Sequence, residues 1–583
     1  MPGPGGKTAS RLLPWSQLSG GAVSLARDLP IVVAGLALFY GLLSLARYWT
    51  GPLNTQAEIS LSPFALPKYA LYSLARIAIG YVISLLFTLV YAWVAAHNRK
   101  AERIMVPLLD TLQSIPVLSF LPGVMLSMAA LFPTRQLGVE FGSILLIFTG
   151  QVWNMTFSVY SSMKSIPREM LEATQIYRLT WWQRFIQLEL PYSMIGLVWN
   201  SMMSVAAAWF YLMPCEMFVL NNHDLRLPGL GSYLQTAANA GDTRAILWSV
   251  GVMIAVIVLM DQLIWRPVIA WSEKFKFEQV EASQTPRSPL LEALRRSRVL
   301  ARVGAATIDP AYEAITLRLA RRRIRRPAGQ PAPGGIGWLS AAIGVAALLG
   351  LLYAVIGMGK MLAGLTPSDL HHVFVGAGAT FLRVELTLIL AGLWTIPIGV
   401  YIGLNPRISA VAQPLAQIAA SVPATALFPI VLLVLIRWGG GMGIASIVLL
   451  LMGTQWYILF NVIAGAMAIP TDLKEVCNIY RLGRVDCWRK LWLPAIFPYL
   501  LTGFVTASGG AWNASILAEY YHFGKQTFTV TGLGATISIA TDKGNFPLLY
   551  GATIVMVLMV VTINRLLWRR LYTLAQTRYK LES

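Results

Sequence analysis

The chain has 583 residues, of which 56% are hydrophobic and 12% charged, and its formal net charge is +20. A soluble domain carries about 25% charged residues. This composition excludes a soluble enzyme or binding module, and apolar stretches near the ~20 residues that cross a bilayer recur along the chain.

Residues 1–30 open on MPGPGGKTAS and lack the short apolar core and small-residue cleavage site of a signal peptide, so no cleaved leader is expected. Six spans follow in the first half, near 31–47, 72–96, 117–132, 139–161, 192–217 and 246–270. Residues 272–336 hold 13 Lys/Arg against 6 Asp/Glu, including RRSR (295–298) and RLARRRIRR (318–326). Lys and Arg collect on the cytoplasmic side of membrane proteins, so this linker is expected there, with HNRKAER (97–103) and the N-terminus on the same side. The positive charge then belongs to cytosol and anionic lipid headgroups, and no nucleic-acid partner is expected. Within the linker, SPLLEALRRSRVLARV (288–303) fits an amphipathic helix lying on the membrane surface.

Six further spans are expected near 337–358, 378–403, 424–437, 442–466, 495–519 and 547–567, followed by a cytoplasmic tail, 572–583. The expected fold is an all-α polytopic membrane protein of about twelve transmembrane helices. Its domains are a cytoplasmic N-terminal segment (1–30), a first repeat (31–271), the basic linker (272–336), a second repeat (337–571) and the tail.

The halves are repeats of one another. IYRL occurs at 176–179 and again at 479–482, an offset of 303. At the same offset Trp153 matches Trp456, Leu190-Pro191 matches Leu493-Pro494, Glu216 matches Glu519, and the GLG run at 229–231 matches 532–534. Upstream the offset is 307, pairing Arg76 with Arg383 and Pro116 with Pro423. Each half holds an even number of spans, so the two run the same way through the membrane, a parallel repeat suited to a pathway between halves.

Spans four and five of each half are joined by SIPREMLEATQIYRLTWWQRFIQLELP (165–191) and AIPTDLKEVCNIYRLGRVDCWRKLWLP (468–494), both expected on the cytoplasmic side. Each begins with a proline suited to a first helical turn, then mixes polar and apolar residues with helical spacing. From Glu to Leu-Pro each is 20 residues long. This resembles the EAA loop of the inner-membrane permeases of ABC importers. Glu172-Ala173-Thr174 and Glu475-Val476-Cys477 occupy the E-A-A positions, and Leu188, Leu190, Pro191 and Leu491, Leu493, Pro494 close the two copies. The glycine of that pattern is replaced by Arg178 and Arg481. Glycine takes up left-handed backbone at little cost, whereas arginine resists it. SLAR (73–76) and TFLR (380–383) at the start of span two, with the Trp, Glu and GLG of span five, are similar to the nitrate/sulfonate/taurine branch in a duplicated, fused form.

The resemblance implies a permease subunit of an ABC importer in a bacterial inner membrane, moving a small, anionic solute by ATP-driven alternating access. It implies two cytoplasmic ATPase subunits that bind ATP and Mg, and an external substrate-binding protein. The chain holds no G-x-x-x-x-G-K-[ST] run, so it is expected to be no enzyme itself and to hold no cofactor. Glu172, Ala173, Tyr177, Arg178, Glu475, Val476, Tyr480 and Arg481 are the expected ATPase contacts. Span five is expected to line the pathway, with Asn200, Ser204, Trp209, Trp512, Asn513 and Ser515 as candidates.

Arg76 with Glu216, and Arg383 with Glu519, stand at the outer ends of spans two and five, where an ion pair would lower the cost of charges near the apolar layer. Cys215, Cys477 and Cys487 form no metal or redox spacing, His371-His372 has no third ligand, and neither a metal site nor a disulfide is expected. A secondary transporter with two six-span halves is the alternative; it also uses parallel repeats, but does not require 25-residue helical segments after span four.

Overall fold

The computed structural model describes residues 58–275 and, beyond a few isolated positions, 355–578, each with short gaps. Predicted span 31–47, nearly all of the basic linker, most of span 337–358, and Glu475 and Val476 lie outside the described residues. The first half runs α1 (Leu66–His97), α2 (Arg99–Gln113), α3 (Leu121–Leu131), α4 (Leu137–Lys164), α5 (Arg168–Ile176), α6 (Leu190–Glu216), α7 (Leu230–Ala240) and α8 (Thr243–Met260). The second runs α9 (Pro367–Leu404), α10 (Pro406–Ser421), α11 (Ala424–Arg437), α12 (Met442–Met467), α13 (Leu493–Ala518), α14 (Leu533–Asp542) and α15 (Phe546–Ile563). Every predicted span among the described residues falls largely on one of these helices, and among those residues seven helices are long and apolar enough to cross a membrane. This is an all-α polytopic membrane protein.

Helix starts follow from local chemistry. Thr366 and Asp369 form a capping box at α9, Asp242 accepts two backbone amides at α8, and prolines occupy the first turns of α1, α6, α9, α10, α13 and α15. In each half the second, fourth and fifth spans pack as one bundle, α1 with α4 and α6, and α9 with α12 and α13. Lipid offers no hydrophobic drive between helices, so small residues at contacts matter. A Cβ at Gly399 would sit 2.8 Å from Val462 Cγ1, and one at Gly403 2.6 Å from Ala466 Cβ, so α9 and α12 nearly touch backbone to backbone. On the outer side, Leu86 and Val90 of α1 and Ile389 and Leu393 of α9 are exposed, an uncovered apolar face at helical spacing.

The halves grip each other by exchange. The turn Val117–Phe120 before α3 packs on α13 and α15, and α11 packs on α6 and α8. Leu118 N donates to Asn513 Oδ1 at 3.3 Å and Thr553 Oγ1 to Ser119 O at 3.3 Å.

Two features escaped hydropathy. After α6 and α13 come short antiparallel hairpins, β1 (Val219–Leu220) with β2 (His223–Asp224), and β3 (Tyr520–Phe523) with β4 (Gln526–Thr529). Wide π-helical turns occur at Phe185–Glu189 and Trp488–Trp492, and again at Asp261–Trp265 and Asn564–Trp568, each pair at corresponding places in the two halves.

The expected absence of a disulfide is corrected: Cys477 is bonded to Cys487, with Cα atoms 6.0 Å apart. Spacing gave no sign of it, because the chain doubles back at Tyr480-Arg481 and brings two distant helical turns together. Cys215 is buried and unbonded.

Replacing Gly399 by Leu drives a side chain into Val462 and is expected to destabilise by about 1–3 kcal/mol, read as a lower thermal-unfolding midpoint. Gly378→Ala, inside the same helix where a Cβ meets nothing within 4 Å, is expected to raise the midpoint slightly, by the helix preference of alanine.

Candidate functional site

At one end of the molecule α4 leads into the first connecting segment. Pro167 begins α5, and the helix ends at Tyr177 with two reaching bonds, Arg178 N to Gln175 O at 3.0 Å and Leu179 N to Thr174 O at 2.9 Å. This is a Schellman ending, and it requires a left-handed residue just past the cap. That residue is Arg178, at φ 49°. Arg481 stands at φ 46° in the second half, and the two are the only non-glycine residues with positive φ among those described. The left-handed turn is therefore kept in both halves although arginine pays the steric cost that glycine would not.

The turn thrusts out the residues before it. Ile176 and Tyr177 are 78% and 77% exposed, and Ile479 and Tyr480 are 71% and 72% exposed. Large apolar side chains held this far out on a built turn form an exposed tip and belong to no core. Glu172 is exposed and Ala173 half-buried on the same helix, and Arg178 and Arg481 are exposed at the tips.

Each tip is tied to the helices behind it. Thr180 and Gln183 form a capping box that starts Trp181–Arg184, and the π-helical turn then feeds α6. Glu189, 1% exposed within that turn, forms an ion pair with Arg184 Nε at 2.5 Å and meets His97 Nε2, at the end of α1, at 3.0 Å. Glu102 of α2 binds the end of α4, accepting from Tyr160 at 2.6 Å and Lys164 at 2.9 Å. Hydrogen bonds from Tyr160 and then Lys164 hold its carboxyl below the usual carboxylate range.

At the opposite end each half buries a carboxylate. Glu216 accepts from Arg76 Nη1 at 2.7 Å, Ser73 Oγ at 2.6 Å and the Gly231 amide at 2.7 Å, and Ser73 in turn accepts from the Leu230 amide at 3.0 Å. The second half repeats the design. Glu519 accepts from Arg383, from Thr380 Oγ1 at 2.7 Å and from the Gly534 amide at 2.7 Å, while Thr380 accepts from the Leu533 amide at 2.8 Å. Both carboxylates thus sit at a helix N-terminus, α7 or α14, where the helix dipole favours negative charge. Gly229 and Gly532 explain the GLG runs: a Cβ at either would lie 2.3 Å or 2.1 Å from the carboxylate. Arg76 also binds Glu140 of α4 through two 2.7 Å bonds. Glu140 has no acidic counterpart at the repeat offset, where Gly443 stands, and so was hidden by a search for matched pairs.

Between the halves lies a cavity of about 570 Å³. Trp209 lines it, with Trp199 and Met203 of α6, Gln413 and Gln417 of α10, and Trp456 and Tyr457 of α12. Of the predicted pathway residues, Asn200, Ser204, Trp512, Asn513 and Ser515 do not line it. Asn200 bonds its own helix at Gly196 O, Ser515 bonds Trp512 O, and Asn513 is taken up by Leu118 across the halves. Gln413 and Gln417 were missed because they lie in α10, which is too polar to read as a span. No group of three or more His, Cys, Asp or Glu able to hold a metal occurs among the described residues.

The family model described as "binding-protein-dependent transport system inner membrane component" matches twice, at residues 84–263 and 395–579. The nitrate import permease protein of Leptolyngbya laminosa is 29% identical over 173 residues, 30% of this chain and 58% of that protein. The bicarbonate transport system permease protein of Synechococcus elongatus is 31% identical over 141 residues, 24% of this chain and 49% of that one. The taurine transport system permease protein of Escherichia coli is 24% identical over 141 residues, 24% of this chain and 50% of that protein. The chain spans about half the length of these curated relatives.

Arg178→Gly removes the left-handed penalty and is expected to stabilise the protein by about 1 kcal/mol, whereas the β-branched Arg178→Val lowers the unfolding midpoint. At the opposite end, Arg76→Leu strands two buried carboxylates and Arg383→Leu one. Breaking a buried pair costs about 3–5 kcal/mol. The expected order is a larger fall in thermal midpoint for Arg76→Leu, and equal falls would refute the added role given to Glu140.

Proposed function

Because this chain belongs to the family of inner membrane components of binding-protein-dependent transport systems, with the family's unit present twice, we propose that it is the permease of an ABC importer and supplies the complete pathway by itself. It is a multi-pass inner membrane protein and a transport component, not an enzyme. The observation that carries the reading is the pair of exposed tips, built on the same left-handed turn 303 residues apart. An ATPase dimer offers two clefts, and one chain offers two tips to fill them.

In this reading ATP and Mg are held by two separate cytoplasmic ATPase subunits, and the chain holds neither. The N-terminus, the basic linker 272–336 and the tail 572–583 are cytoplasmic, which the linker's Lys and Arg support. Residues 31–271 and 337–571 form the two permease repeats. Solute arrives from an external binding protein, and the relatives' names, with nitrate, bicarbonate and taurine, support a small anionic cargo.

The geometry supports a lever. Closure of the ATPase dimer draws Tyr177 and Tyr480 together. The Glu189 contacts carry the first tip's movement to α1 and α6 as one piece. Ion pairs at the far end keep spans two and five of each half together, so the halves rock as bodies and the cavity between them changes access.

Mass measurement of the purified complex is expected to give one copy of this chain with two ATPase subunits, and two copies per ATPase dimer would overturn the reading. Tyr177→Asp with Tyr480→Asp puts charge on both exposed tips, and is expected to abolish ATPase co-purification while leaving the thermal midpoint of the chain unchanged. Glu172→Arg, on the same exposed helix, is expected to weaken that co-purification.

A further inference from the structure

The two connecting segments hold the same tip by different means. In the first, Thr180 and Gln183 form a capping box, and Glu189 gathers Arg184 and His97. At the repeat offsets the second segment has Gly483 for Thr180 and Trp492 for Glu189, and Leu404 stands for His97. Glycine has no side-chain oxygen to cap a helix, and neither Trp nor Leu can enter such an ion pair. The polar braces of the first tip therefore cannot be rebuilt in the second half.

A covalent bond stands there instead. Cys477, at the place of Thr174, is bonded to Cys487, at the place of Arg184. The bond closes a ring of chain around the exposed Ile479, Tyr480 and Arg481, with Arg481 in its left-handed turn. Just beyond Cys487, Trp488 and Trp492 pack on the main apolar core. The disulfide thus ties the arm entering the tip to an arm that is already anchored, and steadies Tyr480 against the bundle. The first connecting segment has no cysteine.

The importer reading above puts this segment on the cytoplasmic side, where thiols are kept reduced and a disulfide is transient or redox-sensing. A tie that exists only when oxidised, in one tip of two, makes a control point. We propose that Cys477 and Cys487 are a reversible thiol–disulfide exchange site that sets how firmly the second tip engages its ATPase subunit. The proposal rests on the importer reading and adds a regulator to it. In oxidation, the thiolate of one cysteine attacks a small disulfide such as oxidised glutathione. That S–S bond breaks, one glutathione leaves, and a mixed disulfide remains. The other cysteine attacks the protein sulfur of the mixed disulfide and releases the second glutathione. One S–S bond is lost and one is gained, two electrons pass to glutathione, and the two thiol protons end on the released thiols. Reduced glutathione reverses the sequence. Both cysteines are buried, so exchange waits on brief local opening of the tip. The bonded tip is pre-organised and loses less freedom on docking than the open one.

The test uses the full chain in lipid nanodiscs, equilibrated with oxidised or with reduced glutathione. Maleimide labelling after denaturation, read by intact mass, is expected to find one thiol, Cys215, in the first mixture and three in the second. Trypsin then compares the tips within one molecule, because IYRL offers an exposed arginine in each. Reduction is expected to speed cleavage after Arg481 severalfold and to leave cleavage after Arg178 unchanged. Reduction is also expected to weaken binding of the ATPase subunits severalfold. Cys477→Ser with Cys487→Ser is expected to bind them as weakly as the reduced chain in both mixtures. Three thiols in both mixtures, equal cleavage after Arg481 in both, or ATPase binding indifferent to the mixture would overturn the proposal. ATPase subunits failing to bind in either mixture would strike the importer reading, and with it the docking role. The thiol count and the cleavage ratio would still decide whether the pair exchanges and stiffens the tip.

Discussion

A carboxylate with no access to water dictates much of this structure. Glu216 and Glu519 are both fully buried, and a buried charge survives only if it is paired and hydrogen-bonded. Each half meets the demand with the same four parts: an arginine and a hydroxyl from span two, an amide at the start of a short helix, and a glycine that lets the backbone come close. The contacts bind span two, span five and the following short helix into one block. The spans within a half then have little freedom to slide past one another.

The halves share this frame but depart from symmetry where chemistry is handled. Glu140 adds a second carboxylate to Arg76 in the first half only. Glu189 gathers His97 and Arg184, while Trp492 stands at the matching place in the second half. The second connecting segment carries a disulfide, and its first-half counterparts are Thr174 and Arg184. In the cavity α6 contributes Trp199, Met203 and Trp209, whereas α13 contributes only Gly510 and Ala514. Fusion into one chain permits this, because each half can change without imposing the same change on its partner.

What the sequence disclosed was whatever the duplication had kept twice. IYRL, GLG and the paired Arg and Glu stood out by their common offset, and the structure uses all three at turns, close approaches and ion pairs. Matching could not reveal Glu140 or Glu189, which have no partner in the other half. Glu140 could have been found by another signal, a carboxylate in the first turn of an apolar span. Polar residues of span five were read as pathway groups because hydropathy gives no azimuth. Asn200 and Ser515 in fact bond back onto their own helices. The π-helical turns and hairpins depend on hydrogen bonds whose register composition does not encode.

The repeated π-helical turns have a geometric consequence for how the tips are aimed. A turn closed by i→i+5 bonds holds one more residue than an α-helical one. Since each residue of an α-helix advances by about 100° around the axis, that extra residue sets the phase between what lies before it and what lies after. Phe185–Glu189 and Trp488–Trp492 stand between each tip and its long span, and so fix the compass bearing of Tyr177 and Tyr480 relative to the lining faces of α6 and α13. Tightening one such turn to α-helical geometry would swing that bearing with no change in any side chain. The tip would then point in another direction while every contact within the span remained intact.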